Sequence, residues 1–279
     1  MSSFSRSILL VEILADEPEG LPFGELCARL NLAKGSVHPM VQSLIASGYL
    51  ERSKIDERLR LTMRLPSLGF RYLQSTRIVD VCQPILERCA AEAGELVQLG
   101  VVTGDAVVFS AWAQGANTGL QYTPVRGRNV PLHCTATGLA WLSSFDDHEV
   151  VRIVGNAGFG TPEATYTKNS ITKYPDLFER LKKTRRQGYG ISLEESTIGL
   201  NACAVPFPGG CAKGSKIVGL LGMAGPSFRL TEKVIASMIP LLKVAAGDLA
   251  RVWPMREYLG VTEQYRGSQA SAATQKGAI

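Results

Sequence analysis

No stretch of the 279-residue chain stays apolar for the ~20 positions a membrane-spanning helix needs, although 45% of its residues are hydrophobic. The opening segment, MSSFSRSILLVEILADEPEG, carries acids inside its apolar run and lacks a small-residue cleavage site, which argues against a secretory leader. Cysteines are few and scattered: Cys27, Cys82, Cys89, Cys134, Cys203 and Cys211 form no C-x-x-C pair. That pattern suits reduced thiols in a cytoplasmic protein better than a disulfide framework or a zinc site. The histidines His38, His133 and His148 show no metal-ligand spacing. GGCAKGSK lacks the Gly-Lys-Ser/Thr order of a phosphate loop, and GNAGFG follows no strand, so neither is a nucleotide fingerprint. The sequence predicts no metal and no cofactor.

Charge is unevenly placed. Up to Cys27 the only base is Arg6, against Glu12, Asp16, Glu17, Glu19 and Glu25. From Ala28 to Arg77 the bases Arg29, Lys34, Arg52, Lys54, Arg58, Arg60, Arg64, Arg71 and Arg77 meet only Glu51, Asp56 and Glu57. One block thus carries the positive excess that a phosphate-binding surface requires. Within it, SILLVEILA and FGELCARLN have helical spacing, separated by the breaker EPEGLP. A third helix follows in AKGSVHPMVQSLIASG, with Val37, Met40, Val41, Leu44 and Ile45 on one side and the acid-free His38, Gln42, Ser43 and Ser47 on the other. Pro39 predicts that this helix opens at Ser36 as N-cap, or that it kinks at the proline. YLERSKIDERLRLTM then reads as strand, turn, strand, with Lys54 and Arg58 near the tip. Three helices and a basic hairpin make a winged helix-turn-helix. Ser36, His38, Gln42 and Ser43 are the candidates for base edges, and Lys34, Arg52, Lys54, Arg58 and Arg60 for phosphates of double-stranded DNA.

Beyond a helical connector, SLGFRYLQST, and the amphipathic VCQPILERCAAEAGE, the pattern changes. VQLGVV, AVVFSAW and GLQYTPV read as strands; helices follow in PLHCTATGLAWLSSF, HEVVRIVG and DLFERLKKTRRQG. YGISL, NACAVPF and KIVGLLGMAG are strands again, and TEKVIASMIPLLKVAAGDLARVW is a closing helix. This order predicts an α+β fold on a largely antiparallel sheet. The expected organisation is a DNA-binding domain over 1–64, a linker helix over 65–78, a ligand-binding domain over 79–253 and a polar, disordered tail over 254–279.

Four stretches in register, NLAKGSVHPMVQSLIASGYLE, VPLHCTATGLAWL, RRQGYGISLEESTIGLNACAVPF and GMAGPSFRL, make the chain resemble the IclR family of bacterial transcription regulators. The resemblance implies a winged helix joined by a linker helix to a GAF-like effector-binding domain, assembled as a homodimer or a dimer of dimers. It also implies effector contacts at Ser192, Glu194, Ala202, Cys203, Gly222 and Ala224. The chain departs from the pattern at Pro39, where Arg is common, at Ser192, where Asp is usual, and at Ala202, where Cys is usual with Cys203 one place along.

The residues themselves point the same way. Thr135 is a candidate N-cap, and the N–H groups of Ala136, Thr137 and Gly138 could take a carboxylate. Members that bind small keto acids resemble one another in carrying an Asp, a Cys and two Ser where this chain has Ser192, Ala202, Gly222 and Ala224. Without those anchors an aromatic or similarly bulky monoacid fits better than a small, oxygen-rich one. The expected function is repression of a catabolic operon from a palindromic operator, with activation as the alternative. A Cys-dependent enzyme is a different reading, with Cys134 as nucleophile and His133 as base. Adjacent residues rarely orient that way, and no Asp or Asn stands out as an orienter, so no enzyme is expected.

Overall fold

Leu10 and Leu14 lie one turn apart on α1 (Ser3–Ala15), and both are sealed in the core of the N-terminal unit. A computed structural model describes residues 2–116, 119–123, 130–209 and 216–253, which divide into two units between Ser75 and Thr76. In the first unit α2 (Phe23–Leu30) adds Leu26, Cys27 and Leu30 to the core. It ends where Asn31 turns left-handed (φ 52°) and its N–H caps the carbonyls of Cys27 and Ala28. α3 (Lys34–Ala46) then inserts Val37, Met40 and Val41. β1 (Leu50–Arg52) and β2 (Leu59–Leu61) form the expected hairpin, Leu50 opposite Leu61, and Leu59 also bridges to Leu21. That bridge needs Gly20 (φ 72°), because a side chain there would strike the Leu59 carbonyl. α4 (Arg64–Thr76) starts three residues before the expected connector and is exposed along nearly its whole length.

The second unit is a three-layer sandwich. β3 (Leu96–Thr103), β4 (Ala106–Gln114), β5 (Gly190–Leu193), β6 (Leu200–Pro208) and β7 (Ile217–Pro226) form one sheet, in the order β4-β3-β7-β6-β5. Every neighbouring pair is antiparallel. α5 (Ile78–Ala93) and α9 (Glu232–Val252) cover one face through Leu86, Val97, Leu99, Cys203, Leu221 and Leu242. α6 (Ala136–Leu142), α7 (Asp147–Asn156) and α8 (Tyr174–Gln187) cover the other through Leu139, Trp141, Ile153, Leu181, Ala204 and Leu220. Strand alternation decides which residue joins which layer. The α+β expectation holds. GLQYTPV is a correction: its described residues, 119–123, form no strand. The expected tail over 254–279 lies outside the described residues.

Candidate nucleic-acid interface and effector site

α3 buries Val37, Met40 and Val41 and leaves Lys34, Ser36, His38, Gln42 and Ser43 exposed, so the acid-free side faces outward. The expected start at Ser36 is corrected. Helical geometry begins at Lys34, and the extended Ala33 occupies the cap position without a side-chain bond. The Ala33 carbonyl accepts from the N–H of Ser36 at 2.9 Å and of Val37 at 3.3 Å, which carries the helix two residues further back. Pro39 therefore lies in the second turn, where its missing N–H leaves the Gly35 carbonyl without its helical donor. The His38 ring stands edge-on to Phe23 of α2, with centroids 6.1 Å apart.

The wing bases divide into two groups. Arg60 donates to the Glu19 carbonyl at 3.0 Å and pairs with Asp56 at 2.6 Å, and Arg58 donates to the Gly20 carbonyl at 2.8 Å. Both ends of that network serve the fold: they tie β2 and the hairpin turn to the segment between α1 and α2. The Asp56 carboxyl is held down to about 2 by the Ser53 hydroxyl and by Arg60. Arg52 reaches Glu57 at 3.5 Å. Lys34 and Lys54 are exposed and make no ion pair among the described residues. The free positive charge of this surface sits there.

In the second unit Thr135 caps α6 as expected, its Oγ1 accepting from the Gly138 N–H at 3.1 Å while its hydroxyl donates to the Pro131 carbonyl at 2.6 Å. The cap occupies the Gly138 donor, so the N–H groups that the helix start leaves open are those of Ala136 and Thr137. α6 lies directly on the sheet because Gly190 offers no side chain against the Ala136 carbonyl. Beneath it Ser192, Ala202 and Ala224 are successive partners across β5, β6 and β7, and Gly222 is one step along on the same face. A side chain on Gly222 would lie 3.2 Å from Thr137 Oγ1. Ser192, buried, donates to the Cys134 carbonyl at 2.8 Å and pins the approach to α6.

Two expected effector contacts are corrected. Cys203 sits between Ala202 and Ala204 on β6, so alternation turns it to the opposite face, into the core under α5 and α9. Burial pushes its thiol up to about 12. Glu194 is left-handed (φ 56°) and its Oε2 accepts from the Gly199 N–H at 2.8 Å, so it closes the β5–β6 turn. Its neighbour Glu195 is part of the same acidic pair but is not among the expected contacts. That residue is buried, pairs with Arg180 at 2.6 Å through Oε1, and leaves Oε2 without a partner. Burial pushes its carboxyl up, against the pull of Arg180.

The cysteine-nucleophile geometry is unfavourable. The Cys134 thiol is fully buried and pushed up to about 12 by burial and by Glu195. His133 points its Nε2 at the Ala164 carbonyl, 2.9 Å away, and packs its ring against Phe159. Burial lowers the His133 pKa. No cluster of three or more His, Cys, Asp or Glu suited to a metal occurs among the described residues.

The chain matches the IclR helix-turn-helix domain over residues 3–54 and the bacterial transcriptional regulator IclR C-terminal domain over residues 70–251. The chain belongs to the IclR family. IclR regulators bind DNA and respond to ligands, so α1–α3, which lie within the helix-turn-helix match, belong to the reading head. The relatives are transcriptional regulators. One is the DNA-binding transcriptional repressor YiaJ of Escherichia coli, 27% identical over 73% of this chain and 72% of its own. The fold is that of an IclR regulator from Silicibacter, with a TM-score of 0.75, 19% identity and coverage of 90% of this chain and 95% of the other. An IclR homologue from Microbacterium hydrocarbonoxydans, solved with 4-hydroxybenzoate, gives a TM-score of 0.69 at 22% identity, covering 90% of this chain and 99% of its own.

Proposed function

We propose that this IclR-family regulator acts as a homodimer, or a dimer of dimers, in the cytoplasm. It represses a catabolic operon from a palindromic operator and responds to an aromatic or similarly bulky monoacid. The observation that carries the effector reading is the floor of the site. Ala202, Gly222 and Ala224 present no hydrogen-bonding side chain beneath α6, so a small acid rich in oxygens would leave groups unpaired at ~1–3 kcal/mol each. A ring buries apolar surface there at ~25 cal/mol per Å². The 4-hydroxybenzoate bound by the Microbacterium homologue supports the same class. Its carboxylate would meet the N–H groups of Ala136 and Thr137.

On the DNA side Gln42, Ser43, Ser36 and His38 read bases, with Lys34 and Lys54 as the principal phosphate contacts and Arg52 as a further one. Arg58 and Arg60 contribute by holding the wing. A single α3 offers few base contacts, each good pair giving ~1–3 kcal/mol of discrimination. Specific sites need ~4–10 kcal/mol over non-specific ones, which two copies on a two-fold site can supply. The buried, unactivated Cys134 supports a sensor rather than an enzyme.

Gel shifts on the DNA upstream of the protein's own gene, with calorimetric titration of benzoate, pyruvate and glyoxylate, test this. Expected are salt-sensitive binding and tighter association of benzoate; tighter binding of the two small acids would reverse the effector assignment.

A further inference from the structure

The polar anchors missing from β5, β6 and β7 have a counterpart one strand away. Gln98 lies in the middle of β3, paired with Gly222 on one side and Trp112 on the other. Its neighbours Val97 and Leu99 belong to the core under α5 and α9, so alternation turns Gln98 to the α6 face. Thr137 hangs over the same spot. A side chain on Gly100 would lie 3.1 Å from its Cγ2, and one on Gly222 would lie 3.2 Å from its Oγ1.

Gln98 is 4% exposed and Thr137 5%. Neither side chain makes a hydrogen bond among the described residues. Yet neither is among the polar atoms that are sealed and unpartnered, which are Glu195 Oε2, Asn201 Oδ1 and Trp253 Nε1. The carboxamide and the hydroxyl are therefore buried and unpartnered without being fully sealed from solvent. Burying an amide without a partner is costly, and the amide faces the candidate effector site.

We propose that Gln98, with the Thr137 hydroxyl, reads a hydroxyl group on the effector and makes this regulator selective for hydroxylated over unsubstituted monoacids. The proposal rests on the effector-site reading above. A hydroxyl is the fitting complement because it donates and accepts at once. It can give its proton to the carboxamide oxygen and take one from the carboxamide nitrogen or from threonine. A site built to bond a hydroxyl also rejects the analogue lacking it, whose binding strands the amide.

Calorimetry on the full-length protein with benzoate and its three monohydroxy isomers tests this, using wild type, Gln98→Met and Thr137→Val. In the wild type one isomer binds about ten-fold tighter than benzoate, the equivalent of one hydrogen bond. Gln98→Met removes that preference, weakening the favoured isomer about ten-fold relative to benzoate, whose binding no longer strands the amide; Thr137→Val, nearly isosteric, lowers the preference in the same direction. If benzoate and the isomers bind the wild type equally, or Gln98→Met weakens all of them alike, Gln98 is structural and the proposal fails while the effector site stands. If none of the four acids binds, the effector reading fails and the proposal with it.

Discussion

Thr135 does two jobs with one oxygen, accepting from the Gly138 N–H and donating to the Pro131 carbonyl. Thr135→Ala removes both bonds, and chemical denaturation is expected to show a loss of about 1 kcal/mol, with Thr135→Ser restoring most of it. The neighbouring His133 gives a pH signature. Burial lowers its pKa from the ordinary value of 6.5. The unfolded chain therefore takes up the proton first as pH falls, and the stability tied to neutral His133, fully present above that value, is lost below it. The stability gap between wild type and His133→Gln should be widest at pH 8 and should narrow toward pH 5.5; a gap that stays constant would show that His133 does not titrate on unfolding. The cap was legible in HCTATG because a threonine before a helical run has few other uses. Gln98 left a fainter trace, one amide in the otherwise apolar LVQLGVV. The pattern of β3 marks it as buried, and only the register with Gly222 gives the burial a meaning.

At the level of elements, the helix-turn-helix and its hairpin were readable because apolar spacing and turn residues agree. The opening of α3 was not. Ser36 has the right chemistry for a cap, but its own N–H is drawn to the Ala33 carbonyl, and Pro39 is tolerated one turn deeper than its reputation allows. Wing arginines were equally hard to sort from sequence. All look like phosphate contacts, whereas Arg58 and Arg60 find backbone carbonyls across the domain. The two kinds of base separate experimentally. Lys54→Ala is expected to leave thermal stability unchanged and to lower the slope of log affinity against log salt by about one. Arg60→Ala is expected to lower the melting temperature of the reading head. A Lys54→Ala protein with the parental salt slope would remove Lys54 from the interface. Cys203 and Glu194 show the limit of carrying sites over by position. A shift of one residue on β6 moves a side chain through the sheet, and a left-handed turn removes another.

On the scale of the whole molecule, the long α4 matters most. Leu65, Leu68 and Tyr72 recur at helical spacing and are 37%, 40% and 57% exposed. Such a stripe fits the two-copy assembly proposed above. Leu68→Glu is expected to shift the sedimentation profile toward monomer and to abolish specific operator binding while non-specific binding survives; an unchanged profile would move the association surface elsewhere. No helix among the described residues is long and apolar enough to cross a membrane. The clasp formed by Arg58 and Arg60 on the carbonyls of Gly20 and Glu19 constrains what any signal can achieve. With the hairpin tied to the helices in this way, the effector response proposed above would move the two copies as blocks rather than change which bases one copy prefers, so footprints taken with and without ligand should keep the same half-site letters and differ in occupancy or separation.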